Sequence, residues 1–262
     1  IEYLYNSISD ILKNNNIEYV KWDMNRSISD WYSTCLPSSR QGEQPHRYIL
    51  GLYELLERLI TDFPHILFEG CSGGGGRFDA GMLYYSPQIW CSDNTDAHER
   101  TFIQYGTSFF YPISTVGSHV SAVPNHQTGR ITSLDTRGIV AMAGSFGYEL
   151  DLSTLTEEEK ETMKEQVKKY RQYQLLIHNG DYYRLTNPHN SRIAAWQWND
   201  NTNGNVLVQG VVFRAVANMV RDKIKLMGVD ALAKYKLKGT GEIYSGIALM
   251  TGGILIPRTT GD

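Results

Sequence analysis

The stretch Tyr19-Val-Lys-Trp-Asp-Met-Asn-Arg26 combines residues able to do chemistry with a spacing that gathers them on one side. Read as a β-strand, it sends Lys21, Asp23 and Asn25 to one face and Val20, Trp22 and Met24 to the other. A cation, a carboxylate and an amide are costly to bury without partners, so their face is expected to open on a polar ligand. Ile89-Trp-Cys-Ser-Asp-Asn-Thr-Asp96 has the same form, an apolar strand that ends in acid. Two carboxylates at the ends of two strands are what glycoside hydrolysis needs.

Asp23 is the stronger candidate for nucleophile. Lys21, two residues back on the same face, favours the ionised carboxylate that a nucleophile requires. A plain salt bridge at a strand end is the rival reading. Asp93 is read as the general acid/base, which burial and a facing Asp23 would keep protonated, and Asp96 as the cap of the helix that follows. The residue pattern alone leaves the choice between Asp93 and Asp96 open. In a retaining enzyme the two carboxyls stand ~5–5.5 Å apart.

Glu69-Gly-Cys-Ser-Gly-Gly-Gly-Gly-Arg77 invites a phosphate-loop reading but lacks the Lys-Ser/Thr of that motif. Glycines also let backbone approach a sugar closely. Cys71 is expected to face the site as a small side chain. Trp31 and Tyr32 are placed to stack on a sugar, whereas Trp90 reads as core. His119 and His126 read as loop histidines, and Arg130 and Arg137 have no assignable partner.

These groups need a scaffold. Apolar periodicity predicts helices over 3–15, 47–62, 97–108 and 157–178, the last opened by a Thr156/Glu159 capping box. Strands are expected at 17–23, 65–69, 88–92, 109–116 and 139–146. Alternation of the two implies parallel β/α units, with the polar segments at the carboxyl ends of the strands, as in (β/α)8 barrels. Five strands by residue 146 fit the later part of such a barrel, about strands 4–8. After Gly180 the pattern changes to short antiparallel strands with turns at 199–204 and 239–241. The expected organisation is an α/β partial TIM-type barrel over 1–185 and a small antiparallel β-sandwich over 186–262.

Composition narrows the class. Hydrophobic residues at 41% and charged residues at 20% describe a folded, water-soluble protein. A net charge of −3 offers no basic field for nucleic acid or an anionic membrane. The apolar run from Ile243 to Ile256 is broken by glycines and too short to span a bilayer. Three cysteines, Cys35, Cys71 and Cys91, suit a reducing compartment and hence a cytoplasmic setting. No CxxC or HExxH occurs, so no metal site is expected. No signal peptide opens the chain, and Ile1 is not a start residue, so upstream sequence is expected.

Lys21-Trp-Asp-Met-Asn-Arg26, Cys71-Ser-Gly-Gly-Gly-Gly-Arg-Phe-Asp79 and Ser92-Asp-Asn-Thr-Asp-Ala97 with Arg100 together resemble the glycoside hydrolase family 36 α-galactosidases. Gly117-Ser-His-Val-Ser-Ala-Val-Pro-Asn125 and Gly144-Ser-Phe-Gly-Tyr-Glu-Leu-Asp151 are similar to that family too. The likeness is close over about residues 1–190. It implies a retaining double displacement on terminal α-galactosides such as raffinose and melibiose. Asp23 matches the family nucleophile and Asp93 the acid/base. Lys21, Asn25, Cys71 and Gly74 match galactose-contacting positions, and Ser72 and Arg100 join them as substrate-binding candidates. No metal or organic cofactor is implied. A homo-oligomer, often a tetramer, and an intracellular location are.

Complete family members carry an N-terminal β-domain and three earlier barrel strands that this chain lacks. Half a barrel exposes sheet edges and apolar helix faces. Residues 1–262 alone are therefore expected to fold poorly or to need a partner copy, and to bind galactose weakly. Other readings are a raffinose-synthase-type galactosyl transferase, an inactive sugar-binding fragment, and a phosphate-binding barrel.

Overall fold

The computed structural model describes residues 1–26, 28–213 and 222–256. The chain forms two compact units, Ile1–Asp93 and Asn94–Asp262.

The first unit runs α1 (Glu2–Asn14), β1 (Tyr19–Asp23), α2 (Gln44–Asp62), β2 (Leu67–Cys71), α3 (Ala80–Tyr85) and β3 (Gln88–Trp90). The strands are parallel, in the order β1-β2-β3. Register sets Lys21 opposite Glu69 and Asp23 opposite Cys71, with Glu69 opposite Gln88. Leu52, Leu55, Leu56 and Leu59 recur at helical spacing along α2, and all are buried. They meet the apolar side of the strands. Val20 and Trp22 pack on a cluster containing Leu12, Leu55, Leu59 and Phe68; Trp22 and Met24 pack on one containing Leu52, Leu56 and Ile89. The expected alternation is thus observed, and the Lys21/Asp23 face points away from the helices.

The second unit continues with α4 (Ala97–Thr107), β4 (Val116–Ser121), α5 (Leu134–Ala141), β5 (Ser145–Glu149) and α6 (Glu157–Asn179). Strands β4 and β5 are parallel. The capping box at the start of α6 is present in both directions, Thr156 to Glu159 and back. An antiparallel sheet follows in the order β6 (Asp181–Arg184), β7 (Ile193–Asn199), β8 (Val206–Val212). Two short antiparallel pairs follow: β9 (Lys223–Ile224) with β12 (Ile254–Leu255), and β10 (Lys234–Lys236) with β11 (Ile243–Ser245). Helix α7 (Gly246–Thr251) lies between β11 and β12 in the chain.

Two expectations are corrected. The strand expected at 109–116 is a turn and a short 3-10 helix at Ile113–Thr115, and β4 begins only at Val116. The strand expected at 139–146 falls instead on the last residues of α5, whose N-cap Ser133 accepts from the Thr136 N–H, and on the turn after it, with β5 beginning only at Ser145. A short apolar run such as Ile139-Val-Ala-Met-Ala143 fits a buried helix as well as a strand. The antiparallel sheet starts at Asp181, directly after Gly180, where the change of pattern was expected. Among the described residues no helix is long and apolar enough to cross a membrane.

Leu59 is fully buried, whereas Leu50 on the same helix is 52% exposed. Leu59→Ala is expected to lower stability by about 2–5 kcal/mol and Leu50→Ala by less than about 0.5 kcal/mol, read as midpoint shifts in urea titrations.

Candidate active site

Asp23 closes β1. The Met24 N–H still donates to the Cys71 carbonyl at 3.0 Å, so the strand end is held in register one residue further. Asn25 Nδ2 donates to Asp23 Oδ2 at 3.0 Å, and Asn25 Oδ1 accepts from the Gly73 N–H. One amide side chain therefore links the carboxylate to the glycine-rich loop. The Lys21 ammonium rests over the Trp90 ring, 4.8 Å from its centroid, while Asp23 takes its hydrogen bond from Asn25. The plain strand-end salt bridge is not the arrangement found. Glu69, in register with Lys21 and buried, accepts from the Tyr19 hydroxyl and from Gln88 Nε2 at 3.1 Å. Sequence reasoning passed over Glu69; its place two residues before Cys71, on the same strand face, was the signal.

The loop after β2 leaves no room for side chains at Gly74 and Gly75. Gly74 has φ +75°, and a Cβ there would lie 2.7 Å from Ser92 Cα and 2.8 Å from the Asp93 nitrogen. A Cβ on Gly75 would lie 2.7 Å from the Cys91 carbonyl oxygen. The loop is thus pressed against the backbone that carries Asp93. At its other side, Ser72 Oγ donates to the Met24 carbonyl at 3.0 Å and Arg77 Nη1 to the same oxygen at 2.7 Å. The Ser72 hydroxyl, expected at the substrate, is engaged here in holding the loop to the end of β1.

Cys71 is 8% exposed, beside Asp23 across the strands. Burial pushes its thiol up to about 11; the Gly74 N–H opposes that rise and the Asp23 charge adds to it. It is a neutral, compact group at physiological pH. Among the described residues, no cluster of three or more His, Cys, Asp or Glu side chains is placed to hold a metal ion.

Asp93 follows β3 and is exposed, so the burial expected around a general acid is not supplied by the described residues. Asp96 is only 2% exposed and caps α4, accepting from the His98 N–H at 2.8 Å and the Glu99 N–H at 3.3 Å. It also takes the Thr128 hydroxyl and, at 2.7 Å, Arg130 Nη1. Burial alone would push its carboxyl up. The Thr128 hydroxyl, the Glu99 N–H and Arg130 outweigh burial and hold it below the usual range. Asp96 is therefore a structural cap, as read.

Arg100, expected to bind substrate, is 3% exposed. It donates from Nη2 to the Gly117 carbonyl at 2.6 Å and from Nε to Gln104 Oε1 at 3.1 Å, which makes it a tie between α4 and β4. Arg137 is likewise buried, on the carbonyls of Thr132 and Ser121. His119 lies on β4 rather than in a loop, with Nδ1 3.1 Å from Glu149 Oε2. Trp90 is buried, as its core reading requires. Trp31, edge-on to Tyr48, and Tyr32 are exposed.

Residues 1–180 match the family model Melibiase, and residues 193–262 the glycosyl hydrolase family 36 C-terminal domain. The chain is 50% identical to the α-galactosidase AgaA of Geobacillus stearothermophilus, over 100% of its own length and 36% of that protein's. The AgaA crystal structure superposes with a TM-score of 0.96. Identity to the bifunctional α-galactosidase/sucrose kinase AgaSK of Mediterraneibacter gnavus is 52%, over 98% of this chain and 27% of that protein. Its galactosidase domain superposes with a TM-score of 0.93. An α-galactosidase from Lactobacillus brevis, 41% identical, superposes with a TM-score of 0.96 over 100% of this chain and 35% of that one. The chain thus spans roughly a third of the length of most of these relatives.

Two outcomes follow from this geometry. Gly74→Ala is expected to cost more than the ~1 kcal/mol of a positive φ alone, because the methyl group meets backbone; thermal melts of the variant and of Gly42→Ala, where space is open, test this. Asp96, held below its ordinary value of 3.8 in the folded state, contributes stability that is fully present above that value. That contribution is lost as pH falls through and below it. Asp96→Asn should therefore be less stable than the parent at neutral pH, and the gap should narrow in melts recorded toward pH 3.

Proposed function

The chain belongs to the melibiase family, glycoside hydrolase family 36, and from that premise we propose that it carries the catalytic carboxylates of a retaining α-galactosidase. In this reading residues 1–185 supply about strands 4–8 of a (β/α)8 barrel and residues 186–262 a C-terminal β-domain. The observation that carries the proposal lies in the first unit. Asp23 projects from a strand end, and the loop tied to it through Asn25 is pressed against the backbone of Asp93. The relatives add support. AgaA variants in complex with raffinose and with stachyose each have one aspartate replaced, and the two replaced positions are as far apart in sequence as Asp23 and Asp93.

The proposed reaction proceeds in two displacements. An Asp23 carboxylate oxygen attacks the anomeric carbon of a terminal α-galactosyl group while the glycosidic C–O bond breaks. The Asp93 carboxyl gives its proton to the departing oxygen. Water then attacks the galactosyl–Asp23 ester, losing a proton to Asp93, and galactose leaves with its configuration retained. Lys21, Asn25 and Cys71, on the side of Asp23, and Gly74, in the loop that follows β2, are proposed to contact galactose. Ser72 and Arg100 act through the framework instead. Raffinose-type oligosaccharides are the proposed substrates.

The chemistry requires only two carboxylates and water. The exposure of Asp93 favours a site completed by further polypeptide, of the kind the longer relatives possess. The free thiols support a reducing, cytoplasmic setting.

The test is an assay of 4-nitrophenyl α-galactoside with the chain alone and with the chain joined to the sequence encoded upstream of Ile1. The extended chain is expected to be active. Its Asp23→Ala variant should fall at least about a thousandfold. Azide should restore turnover in that variant and give β-galactosyl azide. An active extended chain whose Asp23→Ala variant keeps its rate would overturn the assignment.

A further inference from the structure

Arg130 had no partner in the sequence. In the structure its guanidinium meets Asp96 at 2.7 Å, with Glu99 at 3.8 Å. The buried Asp96 carboxylate also takes the Thr128 hydroxyl. The same loop holds the chain again one residue earlier: Asn125, 5% exposed, donates from Nδ2 to Thr95 Oγ1 at 3.0 Å. Asn125 in turn fixes the loop on itself. Its Oδ1 accepts the N–H groups of Gln127 and Thr128, and its own N–H donates to the Arg130 carbonyl at 2.9 Å. Thr95 and Asp96, which follow Asp93 and Asn94 in the chain, are therefore fastened to 125–130.

Resting on the reading of Asp93 as acid/base, we infer that Arg130 is a positioning residue for proton delivery. Through Asp96 it fixes the backbone from which the Asp93 side chain extends. The proton that leaves the Asp93 carboxyl must reach the glycosidic oxygen as its bond to the anomeric carbon breaks. Alignment of that transfer matters most when the departing oxygen is strongly basic, as in a sugar alcohol. It matters little when the leaving group is a nitrophenolate, which departs without a proton. A merely structural role would lower both reactions together.

The upstream-extended chain is assayed with melibiose and with 4-nitrophenyl α-galactoside, alongside thermal melts, for Arg130→Ala, Arg130→Lys, Thr128→Ala and Asp93→Ala. Arg130→Ala is expected to lose roughly tenfold to a hundredfold in kcat/KM on melibiose, with a much smaller loss in kcat/KM on the nitrophenyl substrate. This ratio reports the first bond cleavage, whereas kcat also contains the second step, in which Asp93 takes a proton from water for either substrate. Arg130→Lys should recover part of the loss, because it keeps the charge without the planar fork. Thr128→Ala, at an exposed position and so least able to disturb folding, should move in the same direction by less. Equal losses on both substrates, or no loss in variants that melt like the parent, would overturn the inference. If Asp93→Ala itself fails to distinguish the substrates, the acid/base assignment falls, and this inference with it.

Discussion

The contact on which the Lys21/Asp23 face of the first unit depends is one of backbone against backbone. Gly74 and Gly75 lie against residues 91–93 so closely that a single added carbon on either would fall within 2.7 Å of main-chain atoms. The hydrogen bonds at the other side of the loop, from Gly73, Ser72 and Arg77 to Asn25 and Met24, are each worth only about 0.5–1.5 kcal/mol net. Their importance is geometric. They leave the end of β1 and the segment after β3 with a shared wedge between them. A reaction that needs two carboxyls at a defined separation is sensitive to shifts of about 1 Å.

Burial separates the charged residues into two kinds. Asp96, Arg100 and Arg137 are nearly inaccessible, and each is committed to hydrogen-bond partners in the second unit. A charge removed from water must be paired, and once paired it is no longer available to a ligand. Lys21, Asp23 and Asp93 are exposed, with Asp23 touched by the neutral amide of Asn25. Arg100 illustrates the consequence. Its place in a conspicuous motif suggested substrate, yet its burial makes it a strut between α4 and the start of β4.

Local pattern revealed a good deal of this protein. The alternation through 19–26 gave the polar and apolar faces of β1, and helical periodicity gave α1, α2, α4 and α6 to within a few residues. The capping box of α6 and the capping role of Asp96 were visible because a cap and its helix are neighbours in sequence. The strands β4 and β5 were misplaced because apolar runs of five or six residues carry no period long enough to separate a buried strand from a buried helix.

The sequence by itself determined which residues could do chemistry and which way they face along each strand. These are properties of adjacent residues and of a fixed repeat. Only the tertiary structure decided what those residues meet. It set Gly74 against Asp93, Lys21 over Trp90, and Arg130 on Asp96. It also withdrew Ser72 and Arg100 into the framework. Each of these outcomes joins segments that are distant along the chain or depends on how deeply a group is buried. Separation and burial exist only once the helices have covered one face of the sheet.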